Sequence, residues 1–221
     1  TVNADENLQA PIVLELFTSQ SCSSCPPADK ILKDLASKND NIIALSCHVT
    51  YWNHLNWKDT LSQESCTDRQ RGYVISLDSR GPYTPQIVIN GQTEMVGSRE
   101  AQIKKAIDNI KTPLQIINLS QDNENLNIVL PAMPKEQYIV TLISYGQEHT
   151  ENIQTGENRG KIVEYTNPVT KIKPLSPWDG AKGTMELSNS ELQGDKQIVV
   201  LIHKDSPRGP IVAAGKINLT Q

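Results

Sequence analysis

Phe17-Thr18-Ser19-Gln20-Ser21-Cys22-Ser23-Ser24-Cys25-Pro26-Pro27-Ala28-Asp29 decides the reading of this chain. Ahead of it runs an apolar segment, Ile12 to Phe17. Behind it Ala28, Ile31, Leu32, Leu35 and Ala36 recur at i, i+3, i+4, i+7 and i+8, the period of a helix with one buried face. The stretch therefore reads as a strand, a tight turn carrying two cysteines, and a helix. Pro26 and Pro27 suit the first helical turn, where an N–H has no intrahelical partner. A Cys-x-x-Cys pair in such a turn can close a small ring disulfide, and a helix N-terminus offers unpaired N–H groups and the positive end of a dipole to the first sulfur. That favours the thiolate, so Cys22 is the expected nucleophile. Cys25, a turn further in, is the expected resolving thiol.

Two other uses of these cysteines stand beside the redox one: a structural bridge, or part of a metal site. A zinc ribbon needs a second Cys or His pair at similar spacing. No Cys-x-x-Cys or His-x3-5-His recurs downstream, although His48 and His54 lie within reach. Cys22 and Cys25 with His48 or His54 could thus bind Cu(I) or zinc, sulfur ligands suiting the former. The strand before and the helix after the pair favour the redox reading.

At 221 residues the chain can hold one large or two ordinary domains. No apolar run approaches the roughly 20 residues of a membrane span. A net charge of −4, with 21 Lys and Arg against 25 Asp and Glu, leaves no basic footprint for nucleic acid. Four cysteines, all before residue 67, suit an oxidising compartment, the periplasm or the cell exterior. A leader removed ahead of Thr1 is compatible with that. Asn118-Leu119-Ser120 and Asn218-Leu219-Thr220 match the glycosylation pattern at chance frequency.

In chain order, residues 1 to 10 read as a loosely held polar tail. A first strand covers about 11 to 17, a helix follows the cysteine turn to about Ser37, and Ile42 to Cys47 reads as a second, buried strand parallel to the first. The aromatic segment His48 to Asp59, with Tyr51, Trp52, His54 and Trp57, starts at the carboxyl end of that strand. It is a candidate wall of the active site, because open α/β sheets bind ligands on that rim. Packing over a core edge is the other reading of its aromatics. A second helix is expected from Ser62 to about Asp78. Gln86 to Asn90 begins a strand, Asn90-Gly91 marks a hairpin, and Thr93 to Val96 is its partner. Ser98 is the expected cap of a third helix, to about Lys111.

The order β-α-β-α-β-β-α, with the Cys-x-x-Cys at the first strand-to-helix turn and Thr84-Pro85 just before the hairpin, resembles the thioredoxin fold. More narrowly, Phe17 to Asp29, His48-Val49-Thr50-Tyr51-Trp52, Asp68-Arg69-Gln70-Arg71 and Tyr83-Thr84-Pro85-Gln86 look like a bacterial family of secreted thioredoxin-like proteins of uncharacterised function. Gly156-Glu157-Asn158-Arg159-Gly160 resembles its C-terminal part. The resemblance implies a cis Thr84-Pro85 peptide facing the cysteines, its loop backbone pairing with substrate, with Tyr83 alongside Tyr51, Trp52 and Trp57 as candidate substrate contacts. Glu15 resembles the buried acid that thioredoxins place on the strand before the motif, but the loop here is one residue longer. Two readings of Glu15 stay open, a proton acceptor for Cys25 and a side chain facing solvent. Ser23-Ser24 is neither the Gly-Pro of reducing thioredoxins nor the Pro-His of strong oxidants. Cys47 and Cys66 fall where the wider family has large apolar residues. They are expected to form a structural disulfide, the alternative being a relay that exchanges electrons with Cys22-Cys25.

From 113 onward helical periodicity and cysteines are absent. Alternating runs appear at 114–119, 126–130, 138–145, 161–172, 183–187, 198–203 and 211–217, separated by Asn, Gly, Pro and Asp clusters; they read as antiparallel strands of a β-sandwich. Gly156 to Gly160 reads as a hairpin loop, with Arg159 a candidate contact to the first half. The expectation is an α/β thioredoxin-like domain, residues 11–112, followed by an all-β, sandwich-like domain, residues 113–221. The expected function is a periplasmic or secreted thiol-disulfide oxidoreductase acting on protein thiols or a redox partner, with no cofactor and no nucleic acid. Copper or zinc binding and delivery is the alternative. A third is a binding module in which the thiols are inert and the β half carries the activity.

Overall fold

The structure, a computed structural model, describes residues 9–220, so most of the expected N-terminal tail lies outside the described residues. Among these the chain is mixed α/β, with three α-helices and fourteen strands in four sheets.

The first sheet is built from β1 (Ile12–Thr18), β2 (Ile42–His48), β3 (Gln86–Ile89) and β4 (Thr93–Val96), in the order β2-β1-β3-β4. β1 and β2 run parallel, Ile12 opposite Ile42 and Thr18 opposite His48, while β3 lies antiparallel on the other side of β1, with Gln86 opposite Phe17. A parallel neighbour needs a crossover, and α1 (Pro26–Lys38) supplies it. α2 is Glu64–Ser76 and α3 is Glu100–Asp108. The N-cap of α3 is Arg99, with no side-chain capping bond, and not the expected Ser98. The β3–β4 hairpin turns at Asn90 and Gly91, both at positive φ, as a tight two-residue connection requires.

The alternation of β1 and β2 decides what each face meets. Leu14, Leu16, Ile42 and Ala44 face α1 and α3, burying Leu32, Leu35 and Ile103. Val13, Phe17, Ile43, Leu45 and Cys47 face the other way. There they meet Cys66 and Tyr73 of α2 together with Ile143, Tyr145, Val199, Leu201 and Ile211 from beyond residue 112. One apolar core thus runs through both halves of the chain, each large side chain buried in it worth about 1.5–3 kcal/mol.

The later strands are β5 (Gln115–Ile116), β6 (Asn118–Gln121), β7 (Asn125–Leu130), β8 (Tyr138–Tyr145), β9 (His149–Asn152), β10 (Ile162–Tyr165), β11 (Val169–Trp178), β12 (Gly183–Ser188), β13 (Gln197–Lys204) and β14 (Ile211–Asn218). A five-stranded sheet, β11-β8-β13-β14-β5, lies between the first sheet and the three-stranded β12-β7-β6. Its central strands β8 and β13 are buried on both faces, which is why their sequences read as near-continuous apolar runs. Two expected strands are each divided. Residues 114–119 split into β5 and β6 in different sheets, and 161–172 into β10 and β11 around Asn167 at positive φ. That break lets residues 166–168 cover the free edge of β2: Ser46 N–H donates to Asn167 O at 3.2 Å, and Asn167 Nδ2 donates to Ala44 O at 2.9 Å. β9 and β10 form a separate ribbon whose Val163 and Tyr165 pack with Ile153 against Trp57 and Leu61.

Candidate functional site

Cys22 and Cys25 are joined as a disulfide, their Cα atoms 5.4 Å apart. Cys22 keeps 5 % of its surface exposed and Cys25 none. Cys25 is the N-cap of α1, and its carbonyl accepts from the N–H of both Ala28 (2.8 Å) and Asp29 (3.1 Å). Pro26 and Pro27 carry no N–H, so the first helical turn offers the sulfur no spare amide donors, a correction to the expectation from helix geometry. The polar group at Cys22 Sγ is instead the Ser24 hydroxyl, 3.4 Å away. The helix dipole remains.

The turn is held from several directions. Gln20 N–H donates to Asp59 Oδ2 (2.8 Å), Gln20 Oε1 accepts from Trp57 Nε1 (2.8 Å), and Ser21 Oγ donates to Trp57 O (2.6 Å). Asn158, buried, donates to the main-chain oxygens of Gln20 (2.9 Å) and Cys22 (2.8 Å). The link from the 156–160 loop to the cysteine turn is thus made by Asn158 and not by the expected Arg159. Gly156, at φ +77°, lies against Trp57, where an added Cβ would sit 3.4 Å from the Trp57 Cβ. Trp57, a candidate substrate contact, is half-buried and also braces the turn against the ribbon.

The Thr84-Pro85 peptide is cis. Because Gln86 pairs with Phe17, Pro85 ends its strand beside the start of the cysteine turn. Trp52 Nε1 donates to Thr84 Oγ1 at 2.8 Å, which brings the aromatic segment to this loop. Gln70 of α2 organises the rest: its Nε2 donates to Tyr83 O (2.7 Å) and Gln86 Oε1 (2.9 Å), and its Oε1 accepts from Tyr51 OH (3.1 Å). Tyr83 OH donates to Glu94. The tyrosine hydroxyls are therefore engaged within the protein, with Trp52 and Tyr51 half-buried beside the loop.

Glu15 does not face solvent: it is 1 % exposed. Its carboxylate is held by Arg69, with Nη2 to Oε2 at 3.1 Å and a second contact from Nε to Oε1, and it accepts from Tyr73 OH at 2.6 Å. Arg69 also donates to Pro207 O (3.1 Å) and to His203 Nε2 (3.3 Å), so this buried network stitches α2 to the β13–β14 connection. Burial and the Arg69 charge push His203 down to about 3, which keeps it a neutral acceptor with its Nδ1–H on Gly209 O at 2.9 Å. Glu15 shares its face of β1 with Val13 and Phe17, opposite the face under α1.

On the α1 face a different acid is buried. Asp29 is 1 % exposed, and neither carboxylate oxygen has a hydrogen-bond partner. Burial pushes its carboxyl up to about 7, against the opposing influence of His48 and the Thr18 hydroxyl. Thr18 and His48 end β1 and β2 side by side on that face. His48, fully buried, donates from Nδ1 to Asp59 Oδ2 at 2.8 Å, and its Nε2 is unpartnered. Burial raises the Asp59 carboxyl, but the His48 ring and the N–H groups of Gln20 and Leu61 outweigh it and hold it below the usual range. Reading the sequence missed Asp29, Asp59 and Asn158. An Asp on the apolar stripe of α1, four residues after Cys25, was the available signal for the first.

His54 is exposed, its Nδ1 bonded to Tyr51 O at 2.8 Å. Among the described residues no group of three or more His, Cys, Asp or Glu is placed to hold a metal ion, and His48 and His54 are not gathered around the cysteines as a ligand set. Cys47 and Cys66 form a second disulfide, Cα atoms 5.3 Å apart, tying the end of β2 to α2 and closing the aromatic segment into a loop. They lie in the core on the sheet face opposite α1. Two intramolecular disulfides suit an oxidising, non-cytoplasmic compartment. No helix among the described residues is long and apolar enough to cross a membrane.

A family model described as a protein of unknown function, DUF1223, matches residues 13–203, from the first strand through β13. The chain belongs to this family. A crystal structure of a protein from Agrobacterium tumefaciens is similar to it at 30% identity, covering 97% of this chain and 98% of that one, with a TM-score of 0.85. HBP35 of Porphyromonas gingivalis is similar in fold, at 16% identity over 97% of this chain and 77% of that one, with a TM-score of 0.59. No curated protein matches the chain. The DUF1223 match takes in both the cysteine turn and Asn158, so the two parts of the site fall within one family unit.

Proposed function

We propose that this DUF1223 protein is a periplasmic or secreted thiol-disulfide oxidoreductase that acts on protein thiols through Cys22 and Cys25. The observation that carries the reading is the Cys22–Cys25 disulfide at a strand-to-helix turn, with Thr84-Pro85 leading into the neighbouring strand beside it. The strand order β2-β1-β3-β4 with crossover helix α1 supports a thioredoxin-like assignment for residues 11–112, with a sandwich-like assembly for 113–221.

In the reduced protein the Cys22 thiolate attacks a substrate disulfide, one sulfur leaves as a thiolate, and a mixed disulfide forms. Cys25 then attacks Cys22, releasing the second substrate thiol and closing Cys22–Cys25. The reverse sequence oxidises a substrate dithiol, and no further co-reactant is needed. The Ser24 hydroxyl and the dipole of α1 favour the Cys22 thiolate. Only an edge of Cys22 is reachable, which suits a substrate strand laid along Thr84-Pro85 better than a bulky surface.

The test is trapping. Cys25→Ser should accumulate mixed disulfides through Cys22 when mixed with extracellular or periplasmic proteins, and Cys22→Ser should accumulate few. Equal trapping by both variants, or none by either, contradicts the proposal.

A further inference from the structure

We infer that Asp29 is the proton acceptor for Cys25 and that His48, held by Asp59, is the positioning residue that keeps Asp29 fit for it. This rests on the dithiol reading of Cys22 and Cys25. Asp29 follows Cys25 by four residues in α1 and donates its N–H to the Cys25 carbonyl, and helical side chains lean toward the N-terminus, so its carboxyl lies over the turn that carries Cys25. Both carboxyl oxygens, Thr18 Oγ1 and His48 Nε2 are buried without hydrogen-bond partners, and all three residues share one face at the ends of β1, β2 and α1.

A carboxyl in that condition costs stability, and an alanine there would not. Buried titratable groups kept at such cost cluster at reacting centres. The groups facing Asp29 are His48 from β2, Asp59 from the following loop and Tyr165 from β10, whose ring packs edge-on to His48 at 4.6 Å. Glu151 of β9 stands further out, bonded to Thr60. Glu15, on the opposite sheet face and already engaged by Arg69 and Tyr73, is not available for this task.

In the resolving step the Asp29 carboxylate takes the Cys25 thiol proton. The Cys25 thiolate attacks Cys22 Sγ, the Cys22–Cys25 bond forms as the bond from Cys22 to the substrate sulfur breaks, and the electron pair leaves on the substrate thiolate, which solvent protonates. The protein dithiol is oxidised and the substrate disulfide reduced. In the opposite direction protonated Asp29 returns the proton to Cys25.

The test uses glutathione, which needs no protein-substrate recognition. The Cys22 adduct with glutathione is formed on reduced wild type and on Asp29→Asn, and release of the thiol is followed by rapid quench from pH 5 to 9. Wild type should show an inflection near 7. Asp29→Asn should lose that inflection and resolve roughly 100-fold more slowly at pH 7, while first attack by Cys22 is unchanged. His48→Gln should move the inflection upward. In a second measurement, on unmutated Asp29, its 13C carboxyl titration in the reduced protein should shift on Cys25→Ser. Identical resolution profiles for wild type and Asp29→Asn, or an Asp29 titration indifferent to Cys25, overturn the inference. An Asp29-dependent profile in a protein that does not accelerate exchange of protein disulfides supports the inference and removes the oxidoreductase reading.

Discussion

Asn158 donates its side-chain amide to the main-chain oxygen of Cys22 at 2.8 Å, from 136 residues further along the chain. The same NH2 serves Gln20 O, so the conformation of the cysteine turn is held by a residue of the β9–β10 ribbon. The later strands are thereby part of the site and not an appendage to it.

Removing this amide takes its donor from Gln20 O and one of two donors from Cys22 O, which keeps the Cys25 N–H at 3.2 Å. Asn158→Ala should destabilise the protein by about 1–3 kcal/mol, the cost of stranding a buried polar group. It should also speed reduction of Cys22–Cys25 by a small dithiol, because the turn is released locally. Asn158→Asp, which presents an acceptor to two acceptors, should do more of both. Arg159→Ala should do neither. Urea midpoints with stopped-flow reduction rates check this, and an unchanged reduction rate in Asn158→Ala would show that the turn holds itself.

Cys47 and Cys66 are both buried, on the far side of the first sheet from α1. That placement favours a structural bridge over an electron relay. Changing Cys47→Ala together with Cys66→Ala should lower stability by about 3 kcal/mol, the loop-closure contribution of a bridge over such a loop, and lower the Tm by several degrees. The equilibrium of Cys22–Cys25 with glutathione should stay the same. Kept stability with lost turnover would mark a relay.

Asp29 also sets a pH dependence of stability in the oxidised protein. Its folded pKa of about 7 lies above its ordinary 3.8, so the folded state holds the proton more tightly than the unfolded chain. The stabilisation is full below about pH 4 and is lost as pH rises through 7, an amount on the order of 4 kcal/mol at most. Asp59, held low, acts with the opposite sign and loses its contribution as pH falls. Asp29→Asn should therefore gain stability relative to wild type between pH 5 and 8. Parallel denaturation curves at both pH values would contradict the buried-carboxyl account.

The parts of this fold legible in the sequence were those written locally. A Cys-x-x-Cys between an apolar run and a 3.6-residue stripe, an Asn90-Gly91 hairpin and a Thr-Pro before it all lie within a few residues of the structure they specify. Long-range partners were not legible. Asn158 looks like any loop asparagine until β9 and β10 pair, and Asp59 looks like a turn residue until His48 is buried beside it. Strand alternation puts Glu15 on one face with Val13 and Phe17, but what that face buries was not legible, because its partner Arg69 lies on α2, 54 residues away. The break of 161–172 into β10 and β11 depends on residues 166–168 covering the edge of β2, which no local pattern encodes.

The central claim is that Cys22 and Cys25 exchange disulfides with proteins. It is tested most directly by measuring, in a glutathione buffer, how fast the protein reduces an accessible protein disulfide and how fast it oxidises a reduced unfolded protein. The account predicts acceleration over buffer in at least one direction by wild type and by the Cys47→Ala, Cys66→Ala pair, and none by Cys22→Ser. No acceleration in either direction by wild type, or full acceleration retained by Cys22→Ser, would contradict it.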